Sequence, residues 1–207
     1  RLTTTQIKSK TIIKFTKDNE DFLIREINRH FHRLTSCKDF RIPKDMFTVH
    51  PDIKREFMIG LADVTAHIRS SNIAYGVSYN HRAYIEIPVN WHLVIDISNL
   101  LFDLDVPVHT IDWGHPNIRD PQLKEHDEGR PNACFREHQI KIFADEFEKV
   151  GFRIVHKMDA LKKLSDLNRK AWDDELKKKI KKARTDDKKK EFEKKLGHIE
   201  LEHHKFY

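Results

Sequence analysis

The strongest periodic pattern in the chain lies between residues 52 and 64 and predicts an amphipathic helix. Apolar and small residues recur there at i, i+4, i+7, i+8 and i+11, on one side of a 3.6-residue period: Ile53, Phe57, Gly60, Leu61 and Val64. Glycine lowers helix propensity by roughly 1 kcal/mol, so its place on this stripe indicates close approach of another backbone. The helix leads through Asp63 directly into a strand. The helix dipole disfavours a carboxylate there, which makes Asp63 a candidate for metal or phosphate chemistry; the alternative is a surface acid in a turn.

Patterns further along the chain predict four strands and three more helices. The strands are 72–79, 82–89, 108–113 and 137–143, and the helices are 92–104, 144–150 and 158–196. The resulting order is α-β-β-α-β-β-α, with the last helix running on as a Lys-rich arm. Alternation in the second strand places Ile85, Ile87 and Val89 inward and Arg82, Tyr84 and Glu86 outward. Gly151 is predicted to end the third helix in the left-handed conformation.

The charge of the chain is concentrated near its C-terminus. The 207 residues include 39 Lys and Arg and 33 Asp and Glu, a net charge of +6. Residues 169–195 contain 13 basic and seven acidic residues and account for the whole excess. We therefore expect a strand and helix extension (1–40), with the strand at 11–15 and the helix at 19–33, a core domain (41–168) and a Lys-rich helical arm (169–207). A basic arm on a neutral body favours a polyanion, nucleic acid first, as partner; the alternative is a solvated helix.

The cysteine content and hydropathy restrict where such a chain works. Two cysteines, Cys37 and Cys134, do not make a disulfide framework, so we expect an intracellular compartment (cytoplasm, nucleus or organelle matrix) and no secretion. No apolar run approaches the roughly 18 residues of a membrane span. A membrane partner is therefore not expected.

The motif itself resembles a known family. Residues 57–68, FMIGLADVTAHI, align with the pattern Phe-Leu-x-Gly-Leu-x-Asp-x-Asp-Gly-x-Ile of the LAGLIDADG homing endonucleases and their relatives. Residues 41–47 resemble the Ile-Pro segment upstream of that motif, and Asn90 with the helix after it resembles the entry into the family's middle helix. Residues 147–152, followed by Lys157, resemble the closing Ile-Gly-Phe and the lysine-bearing last helix. The resemblance covers about residues 41–167.

The resemblance implies an α+β fold, a homing-endonuclease-like αββαββα domain whose antiparallel saddle sheet binds double-stranded DNA, here with a C-terminal basic helix. In the family, two motif helices cross at the domain or dimer axis, which gives Phe57, Gly60 and Leu61 an interface role. A single motif then implies a homodimer or a second LAGLIDADG half. Acids at the base of the crossed helices hold Mg²⁺ ions that stabilise the attacking water and the leaving oxygen.

The chain departs from the family at the catalytic position. Thr65 stands where the family has its metal-binding aspartate, and Ala66 replaces the next glycine. Asp63 matches the first acid, which is mainly structural in the family. A neutral hydroxyl is a weak Mg²⁺ ligand compared with a carboxylate. Catalysis would then involve Asp63 as metal ligand together with Thr65 and Lys157, or an acid from a partner chain; the alternative is that this module does not cut.

Side chains on the outward sheet face, in the long loop 114–134 and at the start of the last helix are the expected DNA contacts. They are Arg69, Asn72, Arg82, Tyr84, Glu86, Asn90, Asp112, Arg119, Arg136, Lys141, Arg153 and His156. Glu86, Asp112 and Lys141 also have the residue types of an acid-acid-lysine nuclease site, although their spacing follows no known motif. Histidines and Cys134 around the long loop lack the tight spacing of structural zinc ligands, so zinc is not expected.

The sequence therefore predicts sequence-specific binding of double-stranded DNA, as part of a Mg²⁺-dependent site-specific endonuclease if activity survives. Two alternatives remain. The first is a non-cutting DNA- or RNA-binding relative, such as a regulator, a maturase-like splicing cofactor or the specificity part of a restriction system. The second is an assembly protein that docks through its basic helix without reading sequence.

Overall fold

The computed structural model describes residues 2–7, 10–15, 25–26, 29, 39–70, 81–116, 136–183 and 185–194. Strands β1 (Leu2–Ile7) and β2 (Lys10–Phe15) form an antiparallel pair. The predicted strand at 11–15 is thus confirmed, and its partner β1 was not predicted. The predicted strand 72–79 and most of the predicted helix 19–33 lie outside the described residues.

The core is an α+β unit built on one antiparallel sheet. Its elements are α1 (Pro51–Thr65), β3 (Ala66–Arg69), β4 (Arg82–Pro88), α2 (Trp91–Asp103), β5 (Thr110–Pro116), β6 (Arg136–Phe143), α3 (Ala144–Phe147) and α4 (Val155–Lys182), followed by α5 (Asp186–Lys194). The strand order is β3-β4-β6-β5. The α+β class, the four-stranded antiparallel sheet and the strand directly after the motif helix agree with the predictions. In the described part of the chain, no helix is long and apolar enough to cross a membrane.

One face of this sheet packs against the helices. Alternate residues of β4 and β6 point into the core because side chains alternate along a strand; Ile85, Ile140 and Ile142 are fully buried there. From α2, the core receives the predicted stripe of Leu93, Ile97, Leu100 and Leu101. The other sheet face carries the polar side chains. Val89 is an exception to the predicted alternation, since it follows the end of β4 with a φ of 49° and is 48% exposed.

Helix α1 packs mainly with the side next to the predicted one, about 100° around the helix. It buries Lys54, Met58 and Ala62, whereas Val64 is 81% exposed and Gly60 faces open space. The predicted burial is therefore wrong for Ile53, Gly60 and Val64, whereas Phe57 and Leu61 of the same stripe are half-buried against the core. Both sides of the helix are apolar, so packing partners select the buried one. Lys54 can be buried because its Nζ donates to Asp103 Oδ2 of α2 at 2.7 Å.

The C-terminal helices differ in extent from the predicted single helix 158–196. Helix α4 begins three residues earlier, at Val155, and ends at Lys182 because Ala183 takes an extended conformation. The chain then starts the separate helix α5. Gly151 has a φ of 77°, which confirms the predicted left-handed stop.

Candidate nucleic-acid interface

The polar face of the sheet brings basic and aromatic side chains from three strands into adjacent positions. Arg69 of β3 pairs with Arg82 of β4, and Tyr84 of β4 pairs with Lys141 of β6. The Arg69 guanidinium lies 5.1 Å, and the Lys141 ammonium 5.7 Å, from the centre of the Tyr84 ring. Both distances permit cation–π attraction. Four of the predicted DNA-contacting residues thus lie together on one partly exposed surface.

Asp112 and Lys141, from β5 and β6, form an ion pair on the same face. Glu86 lies in the neighbouring row, where its Oε1 accepts from Arg69 Nη2 at 3.0 Å and lies 2.9 Å from His67 Nε2. Each acid therefore has its own basic partner. The two acids and the lysine share a face, but each is held in an ion pair, the arrangement of a structural polar surface.

Glu86 was predicted to contact DNA, but the structure buries it. Its position is outward in the alternation, yet only 5% of its side chain is exposed. The ion pair with Arg69 and the approach of Gln139 Nε2 at 3.4 Å enclose the carboxylate. A base edge cannot reach it directly. Glu86 positions Arg69 and His67 on the surface instead.

Asn90 was also predicted to contact DNA, and it too is buried. Its side chain is 2% exposed and caps α2, with Oδ1 accepting from Leu93 N–H at 3.0 Å. Its Nδ2 donates to the backbone carbonyl of Phe40 at 2.7 Å. Both ends of the amide are engaged inside the protein, so it is not available to DNA. The predicted contacts Asn72 and Arg119 lie outside the described residues, and only the backbone of Arg136 is described.

The predicted catalytic residues Asp63, Thr65 and Lys157 meet where the end of α1 contacts the start of α4. Asp63 Oδ1 accepts from the backbone N–H groups of Arg153 at 3.2 Å and Ile154 at 3.4 Å. Lys157 Nζ donates to the carbonyls of Asp63 at 2.8 Å and Ala66 at 2.6 Å. These bonds satisfy carbonyls at the end of a helix, which have no partner within it.

The electrostatics of this junction fit a structural role. Burial lowers the pKa of Lys157, against the attraction of the Asp63 carboxylate. The Thr65 hydroxyl donates to the Leu61 carbonyl at 2.7 Å, a bond within the helix. Across the described ranges, no group of three or more His, Cys, Asp and Glu side chains is placed to hold a metal ion. The arrangement holds α1 and α4 together, and Asp63 is the acid at its centre.

The exposed side of α1 forms a continuous apolar strip beside this junction. Ile53 and Val64 are 53% and 81% exposed, and Phe57 and Leu61 are half-buried. A Cβ added at Gly60 would meet nothing within 4 Å. At the rim, Arg153 is exposed and its guanidinium pairs with Glu56, and the neighbouring predicted contact His156 is also exposed. A second helix can therefore approach α1 closely at Gly60.

Three polar residues of the sheet face were not predicted. His67 and Gln139 occupy it through the register with Tyr84 and Glu86, and His109 precedes β5. Gln139 could have been predicted from the alternation of the fourth predicted strand, because it lies next to the inward-facing Ile140 and should therefore face outward. His67 required the correct position of β3, which begins directly after the motif helix. His109 lies within the predicted strand 108–113, where alternation would place it on the same side as Ile111; the observed β5 begins only at Thr110, so that alternation does not apply to it.

His138 lies on the other face, in an aromatic cluster with Trp91 and Trp113. The imidazole centre is 5.5 Å from the Trp91 ring and 4.6 Å from the Trp113 ring. Its Nδ1 accepts from the Gly114 backbone N–H at 3.2 Å, and burial lowers its pKa. The histidine is therefore a neutral packing residue at neutral pH.

Helix α4 is exposed at its basic C-terminal end. Helix α4 carries five lysines in its last six residues: Lys177, Lys178, Lys179, Lys181 and Lys182. All five are exposed, and only Lys179 has a described ion pair, with Glu175 at 2.8 Å. Cations at the C-terminal end of a helix are favoured by its dipole.

Comparison of the chain with protein-family models, with curated proteins and with solved structures finds no match in any of the three.

Proposed function

We propose that this chain binds double-stranded DNA through the polar face of its sheet, as a LAGLIDADG-like module that recognises a site without cutting it alone. The observation that carries the proposal is the cluster of Arg69, Arg82 and Lys141 around Tyr84 on an antiparallel sheet whose opposite face is packed. Cations neutralise phosphates, and side chains standing on such a sheet reach base edges in a groove.

The order of elements supports a homing-endonuclease-like fold for residues 41–168. The motif helix, two strands, a second helix, two further strands and a closing helix follow one another in the sequence predicted by the resemblance. The motif glycine, Gly60, lies on the solvent side of α1 within an apolar strip. Such a strip supports a homodimer, or a second LAGLIDADG half, with the motif helices in contact.

The polar chemistry at the end of α1 argues for binding without cleavage. Mg²⁺ takes oxygen ligands, above all carboxylates, and Thr65 offers only a hydroxyl that donates within its own helix. One oxygen of Asp63 already accepts two backbone N–H groups. Cleavage of DNA by this chain would therefore need a carboxylate supplied by a partner.

Selection from random duplex DNA, with and without Mg²⁺, tests the proposal. We expect enrichment of a defined sequence by binding and no cleaved product. The variants Arg82→Ala and Tyr84→Ala should lose the sequence preference, whereas the exposed Lys162→Ala on α4 should keep it. Mg²⁺-dependent nicking that disappears in Asp63→Asn would make the chain an endonuclease instead.

The basic arm provides the discriminating comparison. Replacing Lys177, Lys178, Lys181 and Lys182 by Gln removes four positive charges and no apolar contact. If each lysine neutralises one phosphate, the slope of log affinity against log salt falls by about 0.9 per lysine. Site preference should survive this change. Complete loss of duplex binding, with no preference left, would show that the arm alone binds nucleic acid and would contradict sheet recognition.

A further inference from the structure

One corner of the polar sheet face is distinctly basic, and we define this basic corner as Arg69, Arg82, His109 and Lys141. Arg69 of β3 pairs with Arg82 of β4. Lys141 of β6 pairs with Tyr84 of β4 on one side and with Thr110 of β5 on the other. The carboxylates of the same face, Glu86, Asp112 and Glu137, occupy ladder positions displaced toward its other end. Arg69 nevertheless pairs with Glu86, and Lys141 with Asp112, across the face, so these acids partly neutralise the basic corner.

His109 completes the corner through the ring of Phe143. The imidazole centre lies 4.5 Å from the Phe143 ring centre, and the Arg82 guanidinium lies 5.3 Å from the same ring. The His109 backbone N–H donates to the Lys141 carbonyl at 2.9 Å, which fixes the residue beside β6. The guanidinium, the ammonium and the imidazole thus come from three different segments and meet at one corner, where His109 is exposed and Arg82 and Lys141 are partly exposed.

The imidazole of His109 is oriented by its neighbour. Its Nδ1 lies 2.7 Å from the Thr110 hydroxyl. When that hydroxyl donates to Nδ1, the neutral ring carries its proton on Nε2, and the exposed side of the ring is then a hydrogen-bond donor. Burial first, and then the charges of Arg82 and Lys141, lower the pKa of His109. The surroundings of the ring are thus electrostatically positive, which attracts an anion.

We propose that the basic corner binds one backbone phosphate of the DNA duplex, with the Nε2–H of His109 as a donor beside Arg82 and Lys141. A phosphate has several acceptor oxygens and suits a guanidinium, an ammonium and an imidazole at once. The inference rests on the proposed function and extends it, because it assigns the DNA backbone to the Arg82 end of the face. A phosphate bound there competes with Asp112 for the Lys141 ammonium.

Proton linkage makes this assignment testable. A phosphate beside His109 favours the charged imidazole, so the pKa of His109 is higher in the complex than in the free protein. Binding then takes up a proton, and affinity rises as the pH falls. If the pKa rises by half a unit to one unit, the full effect on affinity is about three- to tenfold, and only part of it appears between pH 8 and pH 6 because the pKa of free His109 lies below 6.5.

The experiment measures duplex affinity of the full chain at pH 6 and pH 8 and at constant ionic strength. His109→Ala should lose this pH effect, whereas His92→Ala, an exposed histidine on α2, should keep the wild-type effect. Equal pH effects in both variants, with duplex still bound, would overturn the phosphate site and leave the proposed function standing.

A second measurement decides the inference if the wild-type protein binds no duplex, an outcome that overturns the proposed function. Inorganic phosphate is titrated into the protein while the imidazole resonances of His109 are followed by NMR. A raised pKa at millimolar phosphate supports the site, and an unchanged pKa overturns it. As a check on the electrostatics, Arg82→Gln should raise the pKa of His109 in the free protein.

Discussion

Asn168 and His81 exchange two hydrogen bonds that join α4 to the start of β4. The His81 backbone N–H donates to Asn168 Oδ1 at 3.0 Å, and Asn168 Nδ2 donates to the His81 carbonyl at 2.9 Å. Asn168 is completely buried and also donates to Asp145 Oδ1 at 2.8 Å. The Asn168 side chain therefore connects α4, the sheet and α3.

Replacing Asn168 by Ala should destabilise the protein by about 2–3 kcal/mol, since it leaves the buried N–H of His81 without its acceptor and opens a small cavity. Chemical denaturation measures the change. The exposed Lys162→Ala on the same helix serves as control and should stay within about 0.5 kcal/mol of the wild type. A variant Asn168→Ala as stable as this control would show that the paired bonds contribute nothing net.

Asp145 should limit stability at neutral pH. Burial is the main cause that raises its pKa above the ordinary 3.8, and the hydrogen bond from Asn168 opposes the rise. The folded protein thus holds this proton more tightly than the unfolded chain, so the ionised carboxylate costs stability above the folded pKa and the cost disappears below pH 3.8. Asp145→Asn should therefore stabilise the protein at pH 7.

The pH profile of that variant distinguishes this cause from a general effect. The gain from Asp145→Asn should shrink steadily as the pH is lowered toward 4. Asp166→Asn, at an exposed carboxylate on α4, provides the matched comparison and should show no such profile. A gain that is constant from pH 7 to pH 4 would contradict the assignment to a buried charge.

Replacing Gly60 by Ala should stabilise the monomer but weaken its self-association. Because a Cβ at Gly60 meets nothing within 4 Å, Gly60→Ala should raise the stability of the monomer by roughly 1 kcal/mol through helix propensity. If two motif helices cross at this position, the same methyl group holds them apart and weakens self-association. Thermal denaturation at low concentration and sedimentation equilibrium measure the two effects separately.

A second variant tests the same exposed strip of α1 at Val64, which is 81% exposed. Val64→Glu places a charge on the exposed apolar surface, so it should abolish self-association without lowering monomer stability by more than about 0.5 kcal/mol. Unchanged sedimentation of both variants would remove the α1 strip as an interface.

Acid should weaken the fold through His138. Burial holds its pKa below the ordinary 6.5, and the neutral Nδ1 accepts from the Gly114 N–H. The unfolded chain therefore binds the proton more readily, so stability is complete above pH 6.5 and falls as the pH drops toward the folded pKa. His138→Gln should reduce this fall, whereas the exposed His92→Gln should not, as measured by urea denaturation from pH 7 to pH 5.

Periodicity predicted the order of the core elements, but it did not predict which side of α1 is buried. The helix is apolar on both sides, and the side that packs is marked by Lys54, whose partner Asp103 lies 49 residues away. A local pattern carries no information on such a pair. Asn90 and Glu86 show the same limit: both have residue types suited to DNA contacts, and long-range hydrogen bonds enclose them in the protein.

The motif residues were more predictable than the surface around them. The place of Asp63, Thr65 and Lys157 beside one another follows from the resemblance, and their contacts now assign them to the α1–α4 junction. The basic corner was not predicted as a unit because it depends on strand register, and a register shift of one residue moves every side chain to the other face.

If the chain binds a duplex as proposed, the end of α4 at Lys182 sets how far that helix would extend along the DNA. From Arg169 to Lys182 the helix continues for about 20 Å beyond the buried Asn168, at 1.5 Å per residue. That length equals about six base pairs of DNA at 3.4 Å each. A chain docked by its sheet would thus lengthen the nuclease-protected footprint by half a helical turn on the side where the arm lies. In a symmetric pair, the extension would appear at both outer edges of the site, and cutting the arm after Ala183 would leave it intact.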